Sequence, residues 1–418
     1  MAAEEERDCK GPVSWRHLIR GHRGGTNRRL LERRLLSRFR LIVLALLAPL
    51  ALGACGGTPR TLVVADTAQG DTVASFPIFV ATTRAPAEEP SYFTGERAAT
   101  LSFARLDMTV PRAHKTGELE LPAVGEKADP SLHFAVSKVT SLERAPITAQ
   151  VRAELARRKP VDRDVLVFVH GYNTNFADAS YRFAQIVHDA GFKGVAVLFT
   201  WPSRGQLLQY PYDRESAFYS RDFLEAALRG ISRELGASRI DILAHSMGTL
   251  VTLEALRQAA IRGDGNFGGK LRNVMLAAPD IDLDVFKTQL SEIKREITVF
   301  VSADDRALAF SRRFAGDKTR LGAISAKDTE IVADLARNGA HIIDLSDIST
   351  SDQLNHGKFA SSPKVVQLIG RRLQADRGIA IAGPGFGDRL GDIAGGVVGT
   401  FGSTVELVVT APAAIAGR

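Results

Sequence analysis

Cysteine is nearly missing from this chain of 418 residues: only Cys9 and Cys55 are present. Two thiols so placed exclude a disulfide framework for the bulk of the sequence, leaving a hydrophobic core to hold any fold. A long apolar run is missing too. The one uncharged stretch near the start, residues 41–54, is short for a bilayer span and is broken by Pro49. Charge of one sign is missing once its location is considered. The net +7 comes almost wholly from residues 1–40, where eleven Lys and Arg face five acids, and the remainder holds 43 basic against 42 acidic residues. That balance gives no ground for a nucleic-acid partner. No H-E-x-x-H or comparable ligand spacing occurs, so neither a metal nor an organic cofactor is implied. What is present is an ordinary globular balance, 45% hydrophobic and 24% charged, enough for a sizeable core.

The basic leader runs through Arg38 and Arg40 into the apolar stretch and then small residues before Cys55. A charged region, an apolar region and small residues at a cut site describe a secretory signal peptide. Leu52-Gly53-Ala54-Cys55 resembles a bacterial lipobox. The expectation is a leader over residues 1–54, a lipidated Cys55 holding the protein to a membrane of the bacterial envelope, and a tether over 55–75. An uncleaved N-terminal anchor is the alternative. Forty residues ahead of the apolar stretch are many for such a leader, which points to a start among residues 26–36 or to an unstructured extension.

Residues 76–142 carry β signals at 77–83, 101–110 and 133–140, between Pro- and Gly-bearing turns. Strands then alternate with helices. Strands are expected at 164–169, 194–200, 239–244, 272–278, 296–302 and 341–345, and helices at 175–190, 216–235, 248–262 and 363–374. Apolar strands of this length between helices suit a mostly parallel sheet covered on both faces, an α/β fold with an N-terminal β-rich extension. The domain spans 76–375. A tail over 376–418 has Gly383, Gly387, Gly391, Gly395 and Gly399 at every fourth residue. On a helix that spacing would line one groove with glycine. Pro384 and three charges within it favour a flexible low-complexity tail instead.

Ala244-His245-Ser246-Met247-Gly248 lies between a predicted strand and a predicted helix, the setting that gives G-x-S-x-G its meaning. A sharp turn there exposes the Ser246 hydroxyl at the carboxyl edge of the sheet, beside the unpaired N–H groups of a helix start. Ala244 replaces the first glycine and still meets the demand for a small residue. Among the nine histidines, His356 follows the last strand, where the order Ser…acid…His puts a general base. His245 precedes the serine and is expected to point away from it. The turn His170-Gly171-Tyr172-Asn173 suits a second oxyanion donor, so the N–H groups of Met247 and Tyr172 are the candidates. Asp305, after the strand at 296–302, is the first choice for the acid orienting His356. Asp280 and Asp282, after the preceding strand, are rivals, and helix N-capping would account for either group. Trp201, Leu207, Leu208, Tyr210 and Tyr212 form either an acyl pocket with a short lid or a packed connecting loop.

The pieces 168–173, Thr200-Trp201-Pro202-Ser203, 244–248, 278–282, 302–308 and Asn355-His356-Gly357, with Val80-Ala81-Thr82-Thr83-Arg84 upstream, resemble the bacterial α/β-hydrolase family of unknown function DUF900. The resemblance covers roughly 76–375, with boundaries good to about ±2–4 residues. It implies an α/β-hydrolase fold and esterase-like activity, and no particular substrate. The residues and the resemblance together point to a serine hydrolase acting on a small-molecule or lipid ester through an acyl-enzyme. A non-catalytic hydrolase-fold lipoprotein that binds an envelope partner is the other reading.

Overall fold

A computed structural model of the protein describes residues 61–66, 71–123 and 126–375. The leader, Cys55 and the glycine-rich tail expected from the sequence lie outside them. Two long strands, β1 (Thr72–Pro86) and β2 (Phe93–Pro111), are followed by β3 (Ala135–Leu142) and α1 (Arg144–Arg157). Alternation then sets in with β4 (Asp164–Val169), α2 (Phe176–Asp189), β5 (Val195–Thr200), α3 (Tyr210–Glu234), β6 (Arg239–His245) and α4 (Gly248–Ile261). It continues with β7 (Leu271–Ala277), α5 (Leu283–Ile293), β8 (Ile297–Val301), α6 (Arg306–Phe314), α7 (Thr329–Arg337) and β9 (Ala340–Asp344). The helices α8 (Lys358–Ser361) and α9 (Pro363–Gln374) close the described part.

All the strands join one sheet in the order β3-β2-β1-β5-β4-β6-β7-β8-β9. The pairs β1–β2 and β2–β3 are antiparallel, and every other pair is parallel. Burial explains why the parallel strands read as unbroken apolar runs. In β4, Val165, Val167 and Val169 pack into the core on one face, and Leu166 and Phe168 into the core on the other. Helices α1, α3, α4, α5 and α7 contribute to the first core, α2 and α9 to the second. All the carboxyl ends of β4 to β9 therefore share one edge, where ligands bind in sheets of this kind.

The structure departs from the sequence expectation in places. The stretch 55–75, expected as a tether, is partly incorporated: Val64 bridges Val136 and β1 begins at Thr72. Helix α1 was not anticipated, because its buried stripe is only Ile147, Val151 and Leu155, a thin signal on an otherwise polar helix. Helix α3 starts at Tyr210 rather than near 216, with Pro211 in the first turn, where a proline displaces no helical hydrogen bond.

Candidate active site

Strand β6 ends at His245, and Ser246 turns the chain with φ +52° before α4 begins at Gly248. A non-glycine residue in the left-handed region is uncommon, and here surrounding contacts hold it. The Ser246 N–H donates to Ala277 O at 2.9 Å, and Thr249 Oγ1 and N both donate to Ser246 O. The small residues around it are required by closeness. A Cβ on Gly248 would lie 2.3 Å from His170 O, and one on Gly171 would lie 2.8 Å from the Ser246 Cβ. The loop after β4 thus rests directly on the serine.

Strand β8 delivers the Asp304-Asp305 pair, and the loop after β9 delivers His356. His356 Nδ1 donates to Asp305 Oδ2 at 2.7 Å. The Asp305 side chain is sealed from solvent, whereas that of His356 is 17% exposed. The other Asp305 oxygen accepts from Leu308 N at 2.9 Å, capping α6. Burial works against a charged His356, but the charge and hydrogen bond of Asp305, with Asp280 and Asp352 behind, outweigh it. The His356 pKa is raised above its ordinary 6.5.

The His356 loop is pinned from the neighbouring aspartate. Asp304 accepts from the buried Lys358 Nζ at 2.8 and 2.9 Å and from Asn355 Nδ2 at 2.9 Å. Gly357 N donates to Asp352 Oδ2 at 2.5 Å.

The rival acids are occupied elsewhere. Asp280 Oδ1 accepts from Arg320 Nε and Ser311 Oγ, both at 2.7 Å, and its Oδ2 accepts from the Tyr210 hydroxyl at 3.1 Å. Asp282 caps α5 by accepting from Asp284 N and Val285 N. Neither is hydrogen-bonded to His356.

His245, which precedes the serine, turns its ring to the His356 loop. Its ring stands 4.6 Å from the His356 ring and 4.6 Å from Phe359, and its Nε2 donates to His356 O at 3.3 Å. Burial, then the charge of His356, holds its pKa well below the ordinary value, so it stays neutral and backs the ring of His356.

The N–H groups of Tyr172 and Met247 have no protein acceptor among the described residues. Beneath them lies a buried network that sequence reasoning missed. The fully buried Arg84 donates from Nε to Thr200 Oγ1 (2.7 Å), from Nη1 to Ser203 O (2.7 Å) and Thr94 O (3.1 Å), and from Nη2 to Thr174 O (2.7 Å). His170 stacks on Trp201 with centroids 5.0 Å apart. Its Nε2 meets Trp201 N (3.2 Å), Thr200 Oγ1 (2.9 Å) and Arg84 Nη2 (3.3 Å), while Nδ1 meets Gly171 O (2.9 Å). Burial, then the Arg84 charge, lowers the His170 pKa to about 3, so the ring is neutral. Burial also lowers Arg84 to about 9, against the opposing pull of Asp213, and the guanidinium stays charged at neutral pH. The one sequence signal was an arginine ending the apolar stretch 78–84; a buried charge needs a set of partners to justify it.

Of the expected pocket or lid, Trp201 is buried under the site and Tyr210 lies in α3, while Leu207 and Leu208 are exposed. Tyr172 packs edge-on against Tyr210 at 5.1 Å, and Tyr210 faces Phe314 at 6.1 Å. A groove of about 790 Å³ between α1 and α3 shares no residue with the site.

Ligand atoms of His114, His188 and Asp189 lie within 4.8 Å of one another. Both nitrogens of His114 are committed to carboxylates, Nδ1 to Glu120 at 2.8 Å and Nε2 to Asp189 at 2.7 Å. The group reads as an ion pair tying the segment before β3 to the end of α2.

A mostly parallel sheet with helices on both faces and a strand–serine–helix turn at its carboxyl edge defines an α/β hydrolase. Comparison with known proteins agrees. The model of the family "Alpha/beta hydrolase of unknown function (DUF900)" matches residues 146–372, more than half of the chain, and the chain belongs to that family. Among solved structures, the chain is similar to a predicted CIB-like hydrolase from Thermoplasma acidophilum. Identity is 15%, coverage 52% of this chain and 89% of that one, and the TM-score 0.34. No curated protein matches.

Proposed function

We propose that this hydrolase is a serine hydrolase that cleaves ester-like acyl substrates through an acyl-enzyme. Ser246 is the nucleophile and His356 the base, with Asp305 orienting it. In the first half, His356 Nε2 takes the Ser246 proton as Oγ attacks the carbonyl carbon, and Asp305 steadies the imidazolium. The N–H groups of Tyr172 and Met247 donate hydrogen bonds to the carbonyl oxygen as negative charge develops on it. His356 then protonates the departing alcohol. In the second half water, deprotonated by His356, attacks the acyl group and returns Ser246. The observation that most supports this reading is the 2.7 Å bond from His356 Nδ1 to a sealed Asp305. It holds the imidazole in the tautomer whose free nitrogen is a base.

The aromatic contacts of Tyr172 with Tyr210 and of Tyr210 with Phe314, beside the turn that carries one of the two oxyanion donors, favour substrates with an apolar acyl or alcohol portion, a small ester or a lipid ester. A ladder of p-nitrophenyl esters tests it. kcat/KM is expected to rise with chain length, and a preference for acetate alone would count against an apolar site.

His356 must be neutral to act, and its pKa is raised, so activity is lost as pH falls through that raised value. The acidic limb of kcat/KM against pH is therefore expected above 6.5. In Asp305→Asn, without the carboxylate charge, that limb should move down. A wild-type limb below 6.5 would contradict the assignment.

Membrane attachment through Cys55 belongs to the same proposal and rests on the leader pattern alone. Mass spectrometry of the mature protein from a bacterial host should find Cys55 N-terminal and diacylglyceryl-modified, with processing blocked by globomycin. An unmodified Cys55 would remove it.

A further inference from the structure

His170 is a buried, neutral histidine with both ring nitrogens engaged, and the proposed chemistry gives it no proton to carry. The acceptor of its Nδ1–H is the carbonyl of the peptide that joins Gly171 to Tyr172. In a trans peptide the C=O and N–H point in opposite directions. Holding Gly171 O on the His170 side therefore drives the Tyr172 N–H the other way. Gly171 itself lies against the Ser246 Cβ. The same carbonyl, released, would let the peptide rotate and withdraw the donor from the serine.

The tautomer that makes this possible is set at the far side of the ring. Trp201 N donates to Nε2, Arg84 Nη2 offers a second N–H to it, and the Thr200 hydroxyl, already accepting from Arg84 Nε, has its own proton to give. Three donors around Nε2 leave it no room for a proton, so the proton resides on Nδ1. Arg84 also grips Thr174 O and Ser203 O, fixing the loops after β4 and β5 on either side of the ring.

We infer that Arg84 and His170 are positioning residues that lock the Gly171–Tyr172 peptide with its N–H turned toward the oxyanion of the Ser246 reaction. The inference rests on the serine-hydrolase reading above. Its consequence is that the bond from residue 170 to Gly171 O governs turnover, more than the number of partners residue 170 satisfies.

Two substitutions separate these effects. Asn at 170 places its Nδ2 where Nδ1 of histidine stood, keeping the donor to Gly171 O while abandoning the Nε2 end. Gln at 170 extends to the Nε2 position and can accept from Trp201 N and Arg84, but leaves Gly171 O unheld. A residue serving only the packing and hydrogen bonding of the core would favour Gln. The lock favours Asn.

The experiment measures kcat and KM on a p-nitrophenyl ester for the full chain as wild type, His170→Asn and His170→Gln. Tm and the yield of fluorophosphonate adduct are measured alongside. His170→Gln is expected to lose about 10²–10³-fold in kcat, as when one oxyanion donor is removed, with KM nearly unchanged. His170→Asn should recover most of that loss even if its Tm is the lower of the two. Should either variant fail to fold, Arg84→Lys, which keeps the charge and gives up the fork, is expected to lower kcat with KM nearly unchanged. A folded Gln variant that matches or exceeds Asn in kcat, or an Arg84→Lys that leaves kcat intact, overturns the lock alone. A folded wild type that neither labels nor turns over removes the serine-hydrolase reading and the lock with it.

Discussion

Replacing His356 by alanine is expected to lower kcat by about 10⁶-fold, close to the loss from Ser246→Ala, because the two act as one unit. The physical reason is that a serine hydroxyl is a poor nucleophile at neutral pH until a base removes its proton in the transition state. His356 is the imidazole bound to a sealed carboxylate, and the adjacent His245 is kept neutral by burial at its back. The double variant should be scarcely worse than either single one, and that non-additivity is the diagnostic. Rates on a p-nitrophenyl ester for the four proteins check it. If the two losses multiplied, the residues would be acting independently, and the shared mechanism would be wrong.

Asp305→Asn should lower kcat by about 10⁴-fold while leaving the fold in place. An amide at this position can offer an N–H to Nδ1 and so place the imidazole proton on Nε2, where it no longer acts as a base. The comparison variant is Asp280→Asn. Asp280 is paired with Arg320, both buried, and removing its charge strands the guanidinium. Breaking a buried pair in this way destabilises by about 3–5 kcal/mol. Its signature is therefore a lower urea midpoint, with kcat per folded molecule falling far less than in Asp305→Asn. Equal kcat losses in the two variants would leave the acid unassigned; a larger one in Asp280→Asn would transfer the role.

Much of the fold class was legible because its signals are local. Runs such as 164–169 and 239–244 read as buried strands from composition, and Asn175 sits where it caps α2, accepting from Asp178 N at 2.9 Å. Helix α1 escaped because three buried residues on a polar helix barely mark a face. The serine turn was legible for the same local reason: small residues between a strand and a helix. The choice among aspartates was not. Asp280, Asp282 and Asp305 all follow strands, and two of them cap helices. What sets Asp280 apart is Arg320, forty positions on, and no pattern in the chain announces that meeting.

The buried network was harder still. Arg84 reaches Thr200 and Ser203 across more than a hundred residues, because β1 pairs directly with β5 in the sheet. Only the strand order brings them together. The packing of His245 was out of reach for the same reason: its ring rests on the His356 loop, which returns to it only after β9.

The central claim is that Ser246 is an activated nucleophile. Intact-mass analysis of the protein after exposure to a fluorophosphonate, followed by mapping of the modified peptide, tests it most directly. The account predicts one adduct per chain, on Ser246, absent from Ser246→Ala and strongly slowed in His356→Ala. A folded wild type that takes no adduct, or one whose adduct persists in Ser246→Ala, would contradict it.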